Sequence, residues 1–183
     1  MPSAPPADIE DIPRELLHEP LDWFFAEHYR HRQLCRMIEE AAASHVFHAN
    51  PISQIVDFIR YDLALHVIDE EEDLFPLLRR RALPEDEIEN VLGRLSAEHR
   101  ADVTQSQVVR ERLESALKSQ RAPGLDPEAK SVLLAFARHE LRHLALENAV
   151  VLPIARLRLT AADLTALSRR LAARRGLVLE AQP

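Results

Sequence analysis

Glycine is almost missing from this chain, with three residues in 183. Tight β-hairpins need residues at positive φ, so a protein built mainly of hairpins is excluded. Aromatic residues make up 5%, too few for a surface that stacks nucleobases. A single cysteine, Cys35, rules out an internal disulfide and is read as a small buried apolar residue. No apolar run approaches the roughly 18 residues that a membrane span requires. The opening residues, MPSAPPADIEDIP, contain no apolar stretch of the signal-peptide kind. Basic residues are outnumbered, 23 against 30 acidic, for a net charge of −7. That balance disfavours nucleic acid and anionic membranes as partners. The expected compartment is the cytoplasm.

What is present reads as helix. Apolar residues account for 46% of the chain, enough for one sizeable core. Residues 1–19 carry Pro2, Pro5, Pro6 and Pro13 among several acids and are expected to form an extended arm lying on the domain surface. A first helix is predicted from Pro20 to about Ser44, with Leu21, Phe24, Phe25, Leu34, Met37 and Ile38 at helical spacing. Asn50-Pro51 predicts a cap and first turn for a second helix, ending near Arg81. Pro84 with Glu85, Asp86 and Glu87 opens a third, ending near Gln120. Asp126-Pro127-Glu128 opens a fourth, ending near Leu157. Thr160 and Asp163 resemble a capping box for a shorter fifth helix that Gly176 ends.

The expected fold is all-α: an antiparallel up-down-up-down four-helix bundle over residues 20–158. The N-terminal arm (1–19) precedes it, and a C-terminal helix and tail (159–183) follow. Leu164, Leu167 and Leu171 predict one apolar stripe on the fifth helix, packed on the outside of the bundle. Its Arg169, Arg170, Arg174 and Arg175 are read as a solvated face.

The nine histidines are not scattered. Ala26-Glu27-His28 in the first helix matches Ala97-Glu98-His99 in the third. His66, Glu70 and Pro76 in the second match His143, Glu147 and Pro153 in the fourth, with the same offsets. The chain thus reads as two helix hairpins sharing one pattern. Counted from shared loops, His28, His66 and His99 fall at depths that agree within roughly 2 Å, and His143 within roughly 6 Å, at 1.5 Å rise per residue. Residues four apart share a helix face, so Glu70 and Glu147 lie one turn below His66 and His143. Four imidazoles and two carboxylates are expected to converge inside the bundle.

Two unpaired buried carboxylates repel and are costly, so a purely structural bundle would place Leu or Ala there. Metal cations remove that cost. A mixed imidazole and carboxylate set favours iron, with manganese or zinc less favoured. A haem would use axial histidines but would leave the glutamates unexplained. Ferritin-like sites use Glu-x-x-His on two helices, whereas within the four long helices only Glu140-Leu-Arg-His143 fits here.

His28, His66-x-x-x-Glu70 followed by Leu-Phe-Pro, His99, and His143-x-x-x-Glu147 ahead of a proline resemble the hemerythrin-like, or HHE cation-binding, family. Arg174-Arg175-Gly176 is similar to the tail of many bacterial members. The resemblance covers about residues 20–176. It implies a non-haem di-iron centre with an oxo or hydroxo bridge. Glu70 and Glu147 would bridge, His28 and His66 would bind one iron, and His99 and His143 the other. The chain departs from the oxygen-carrying members at Val103, where they place a second histidine four residues after the one in the third helix. Fewer protein ligands would leave the irons open. That favours sensing, redox chemistry or another ligand over simple oxygen storage.

The implied function is binding of a small gas such as dioxygen or nitric oxide, for sensing, carriage or protection. An oxidoreductase acting on peroxide or nitric oxide, or an iron-responsive interaction module, is the alternative, so catalysis is left open. His139 is the candidate extra metal ligand, or a hydrogen-bond partner of one, and Asp62 occupies the matching place on the second helix. His31 is expected at the surface, and His18, His45 and His48 in solvent. Glu71, Glu72 and Asp73 are read as a solvated acidic patch in which Glu71 can orient a ligand. Glu27 and Glu98 are read as exposed or bonded to ligand histidines. Trp23, Phe24, Phe25 and Tyr61 are read as core.

Overall fold

A computed structural model describes residues 8–179 and is helical, with no strand among the described residues. Five helices make a helical bundle: α1 (Pro20–Ala43), α2 (49–81), α3 (Ile88–Ser119), α4 (127–158) and α5 (Ala161–Arg174). Each start has a local cause. Pro20 opens α1 with its ring in the first turn, where no backbone donor is needed. Asp126 caps α4 by accepting from the backbone N–H of Glu128 and Ala129. Thr160 and Asp163 form a reciprocal capping box for α5. Gly176, at φ +70, ends the chain's turn out of α5.

Two starts differ from the sequence reading. The second helix begins at Ala49, so Asn50 sits within the first turn and caps nothing. Pro84–Asp86 forms a separate 3₁₀ turn, and Glu87 at φ 48 breaks the chain before α3 begins at Ile88. The arm is partly helical as well. Arg14–His18 is a 3₁₀ turn whose Leu17 is fully buried, and His18 is half-buried. The arm's residues 1–7 and the tail's residues 180–183 lie outside the described residues.

Three stretches inside α2 and α4 widen to π-helix: Phe58–Leu63, Glu70–Leu74 and Glu147–Val151. The last two start at the repeated glutamates and are followed by Pro76 and Pro153. Proline lacks an N–H and its ring crowds the carbonyl four residues back, so a wider preceding turn relieves both problems.

Two apolar clusters fill the interior. One gathers Leu21, Phe24, Phe75, Leu92, Leu152 and Leu171; the other gathers Leu34, Ile38, Ile55, Leu113, Leu133 and Phe136. Cys35 is buried in the second. Trp23 and Phe24 are core, but Phe25 and Tyr61 are exposed, 52% and 62%. Adjacent helical residues point about 100° apart: Trp23 and Phe24 both fall within the inward arc of the first helix, and the next step carries Phe25 out of it. Tyr61 lies within the π-helical stretch, where an extra residue per turn rotates it off the expected face.

α5 buries Leu167 and Leu171 against the bundle and is fastened at both ends. At its start, Asp163 accepts from Arg80 and Arg81 of α2. At its end, Arg174 pairs with Asp69 and Asp73, and Arg175 pairs with Asp69 and Glu27. Arg170 also reaches Asp73. The solvated-face reading therefore holds for Arg169 and for the exposed Arg170, although Arg170 also reaches Asp73; Arg174 and Arg175 instead neutralise buried carboxylates on neighbouring elements.

Candidate metal centre

Between the two apolar clusters lies a polar layer. His28, His66, Glu70, His99, His143 and Glu147 are all buried in it. They form two overlapping groups able to hold metal ions. His28, His66, Glu70 and Glu147 make one, and Glu70, His99, His143 and Glu147 the other; within each, the ligand atoms lie within 4.8 Å of one another. The two carboxylates belong to both.

Each imidazole is oriented from behind. His28 Nδ1 donates to Asn148 Oδ1 at 2.9 Å and His66 Nδ1 to Glu27 at 3.0 Å. His99 Nδ1 donates to Glu71 at 2.6 Å and His143 Nδ1 to Glu98 at 2.9 Å. With every Nδ1 engaged outward, every Nε2 faces the centre. Metal-binding histidines are held in this way, because the outer bond fixes the ring and raises its basicity.

The inward atoms are left without partners of their own. His28 Nε2, His66 Nε2, Glu70 Oε2 and Glu147 Oε2 are buried and make no hydrogen bond, and Glu147 Oε1 is faced by His143 Nε2 at 2.8 Å. His99 and His143 bring their Nε2 atoms within 3.0 Å of each other. Buried polar atoms are nearly always satisfied, so such a convergence calls for something between them. Cations suit this donor set of imidazole nitrogens and carboxylate oxygens.

Charge in the layer is strongly coupled. Burial disfavours a charged His66, but Glu70 and Glu27 outweigh it and push its pKa up to about 10. His143 rises likewise to about 10, against burial, through Glu147. Burial opposes ionisation of Glu70, yet His66, His28 and His99 hold it well below the usual range. Glu27 falls to about 2 against burial, through His66 and Arg175.

Several other residues depart from their sequence reading. His31 is buried, not at the surface, and its Nδ1 is bonded to Glu140 at 3.0 Å. Burial also lowers the His31 pKa. Glu71 and Asp73 leave the acidic patch: Glu71 holds His99 and accepts from Ser96 Oγ, and Asp73 is buried under Arg170 and Arg174. Only Glu72 is exposed there. His139 belongs to neither group and lies 3.2 Å from Asp102. Asp62 pairs with Arg30, and Val103 is exposed. His45 and His48 are in solvent. The signal for Glu27 and Glu98 was in the repeat itself, since each precedes its histidine and so faces the neighbouring helix. His31–Glu140 had no such repeat.

A cleft of about 680 Å³ reaches the layer from outside. Leu63 and Val67 of α2 form one wall and Val103 and Ser106 of α3 another, with His66, His99 and His143 at the inner end.

No helix of the described residues is long and apolar enough to cross a membrane. No curated protein and no solved structure matches the chain significantly. A family model does match, that of the hemerythrin HHE cation-binding domain, over residues 19–172. It takes in α1 to α4 and nearly all of α5, and the chain therefore belongs to the hemerythrin HHE cation-binding domain family.

Proposed function

We propose that the chain is a non-haem di-iron protein that binds dioxygen or another diatomic gas, for sensing, carriage or protection. The observation that carries this reading is the set of buried, unpartnered Nε2 and carboxylate atoms converging on one place. In this reading His28 and His66 hold one ion, His99 and His143 the other, and Glu70 and Glu147 bridge them. Two irons supply redox chemistry and open positions for a small ligand. The residues of the chain orient the imidazoles, lend them basicity through Glu27, Glu71 and Glu98, and exclude bulk water with the apolar clusters on either side. An up-down-up-down course of α1 to α4 belongs to the same reading. The close packing of Gly124, in the α3–α4 connection, on Ala42 and Ser44 at the end of α1 supports it.

A second reading has its own support. The cleft is far larger than a diatomic gas needs, and it reaches three of the four histidines. That favours an oxidoreductase admitting peroxide to the same centre. The test is metal analysis of the purified protein, followed by anaerobic reduction and addition of oxygen under visible absorption. A reversible spectral change supports gas binding. Irreversible oxidation, with turnover of added peroxide, supports the oxidoreductase. A protein that binds no metal under any condition sinks both.

A further inference from the structure

The two halves of the centre share their carboxylates, carry two imidazoles each, and differ in what stands behind those imidazoles. Behind His99 and His143 are two carboxylates, Glu71 and Glu98. Glu98 is met by Arg94 at 2.9 Å, but on a 63% exposed side chain, where an ion pair is worth little. Behind His28 is a neutral amide, that of Asn148. Behind His66 is Glu27, met at 2.7 Å by Arg175, which is only 13% exposed and is shared with Asp69, itself also paired with Arg174. Glu140, also in the cleft lining, is bonded to His31 at 3.0 Å.

Two divalent ions bring four positive charges, and Glu70 and Glu147 offset two. The rest must come from the groups behind the imidazoles. An imidazole donating to a carboxylate is a stronger base than one donating to an amide. The His28 and His66 side is also the more enclosed, 0% and 3% exposed, so an ion there loses more hydration. Less negative charge is available where more is needed.

Resting on the di-metal reading, we infer that the two positions are unequal. The first ion goes to the His99/His143 position, and the second binds more weakly at the His28/His66 position. Glu71 and Asn148 set this order as positioning residues; they touch the ligands and not the ions.

The test is an anaerobic titration of the full chain with cobalt(II), followed by visible absorption and calorimetry. The expected result is two steps, the first about tenfold or more tighter than the second, the scale on which such outer partners act. Glu71→Gln keeps the shape and removes the charge. It weakens the first step by about 10- to 100-fold and leaves the second. Asn148→Asp adds the missing charge and tightens the second step by a similar factor. A merely structural role gives no such opposite responses in two isosteric variants. Melting curves check that both remain folded. Two equal steps in the unmodified protein overturn the inference, as do variants that bind like the original or a Glu71→Gln that weakens only the second step. No binding at all would overturn the metal reading instead, so the two failures are distinguishable.

Discussion

Arg175 donates to the carboxylate of Glu27 at 2.7 Å, joining the end of α5 to α1 across 148 residues of sequence. The other oxygen of Glu27 accepts from His66 Nδ1. The end of helix α5, outside the four long helices, is thereby two hydrogen bonds, through one carboxylate, from a histidine of the centre. The Arg175 guanidinium also lies over the Trp23 ring, 4.9 Å from its centroid.

Replacing Arg175 with Met leaves Glu27 buried with His66 as its one remaining charged partner. The expected loss is about 3 kcal/mol, at the low end for a broken buried pair because Arg174 still faces Asp69. Urea unfolding of the metal-free protein measures it. Arg169→Ala, at an exposed position, is the control and should change stability by less than about 0.5 kcal/mol. Equal effects of the two would show that α5 is merely laid on the surface.

Glu70 and Glu147 each face imidazoles of both metal groups. Alanine at either position removes a shared ligand, and metal per chain should fall at least about tenfold by elemental analysis. Glu72→Ala, one turn-step away on an exposed side chain, should leave metal content unchanged. Unchanged metal in both glutamate variants would rule out the bridging role.

How far the sequence could be read depended on the range of the interactions. Capping at Asp126 and Thr160 and the proline starts at Pro20 and Pro127 are local, and the chain states them outright, whereas the starts read at Asn50-Pro51 and Pro84 are displaced. The common depth of His28, His66, His99 and His143 followed from residue counts to shared loops, because helical rise is constant. What failed depended on which helix lies beside which. No count along α1 reveals that His31 meets Glu140, or that Arg174 and Arg175 close over Asp69. Tyr61 failed for a different reason: the π-helical stretch at Phe58–Leu63 has no proline to announce it, and it shifts the helical phase.

Two glycines should respond to alanine with opposite signs. At Gly124 a Cβ would lie 2.3 Å from the Ser44 carbonyl oxygen and 2.8 Å from that of Ala42. Both are backbone atoms that cannot step aside cheaply, so Gly124→Ala should cost about 1–3 kcal/mol. At Gly93, inside α3, nothing lies within 4 Å. There Gly93→Ala removes backbone freedom from the unfolded chain and should stabilise by up to about 1 kcal/mol. Thermal melts of the two variants decide the matter, and a neutral Gly124→Ala would mean that the connection does not seat on the end of α1.

Metal loading should reverse the pH dependence of stability on the alkaline side. In the metal-free protein His66 and His143 have pKa values raised from 6.5 to about 10. Groups raised on folding contribute fully below their unfolded value and lose that contribution as pH climbs through the folded one. The metal-free protein should therefore weaken between about pH 6.5 and about pH 10, by at most roughly 1.4 kcal/mol per pH unit for each imidazole. On the acid side the sign is opposite. Glu27 and Glu140 fall from 4.5 to about 2, so their contribution is present above 4.5 and is lost as pH drops toward 2. A metal ion must displace the imidazole protons, so its affinity rises with pH by about tenfold per unit for each proton released. Loaded protein should thus hold its melting temperature over the alkaline range in which metal-free protein loses it. Parallel melting curves with and without metal would show instead that these imidazoles keep their protons and do not bind the ion.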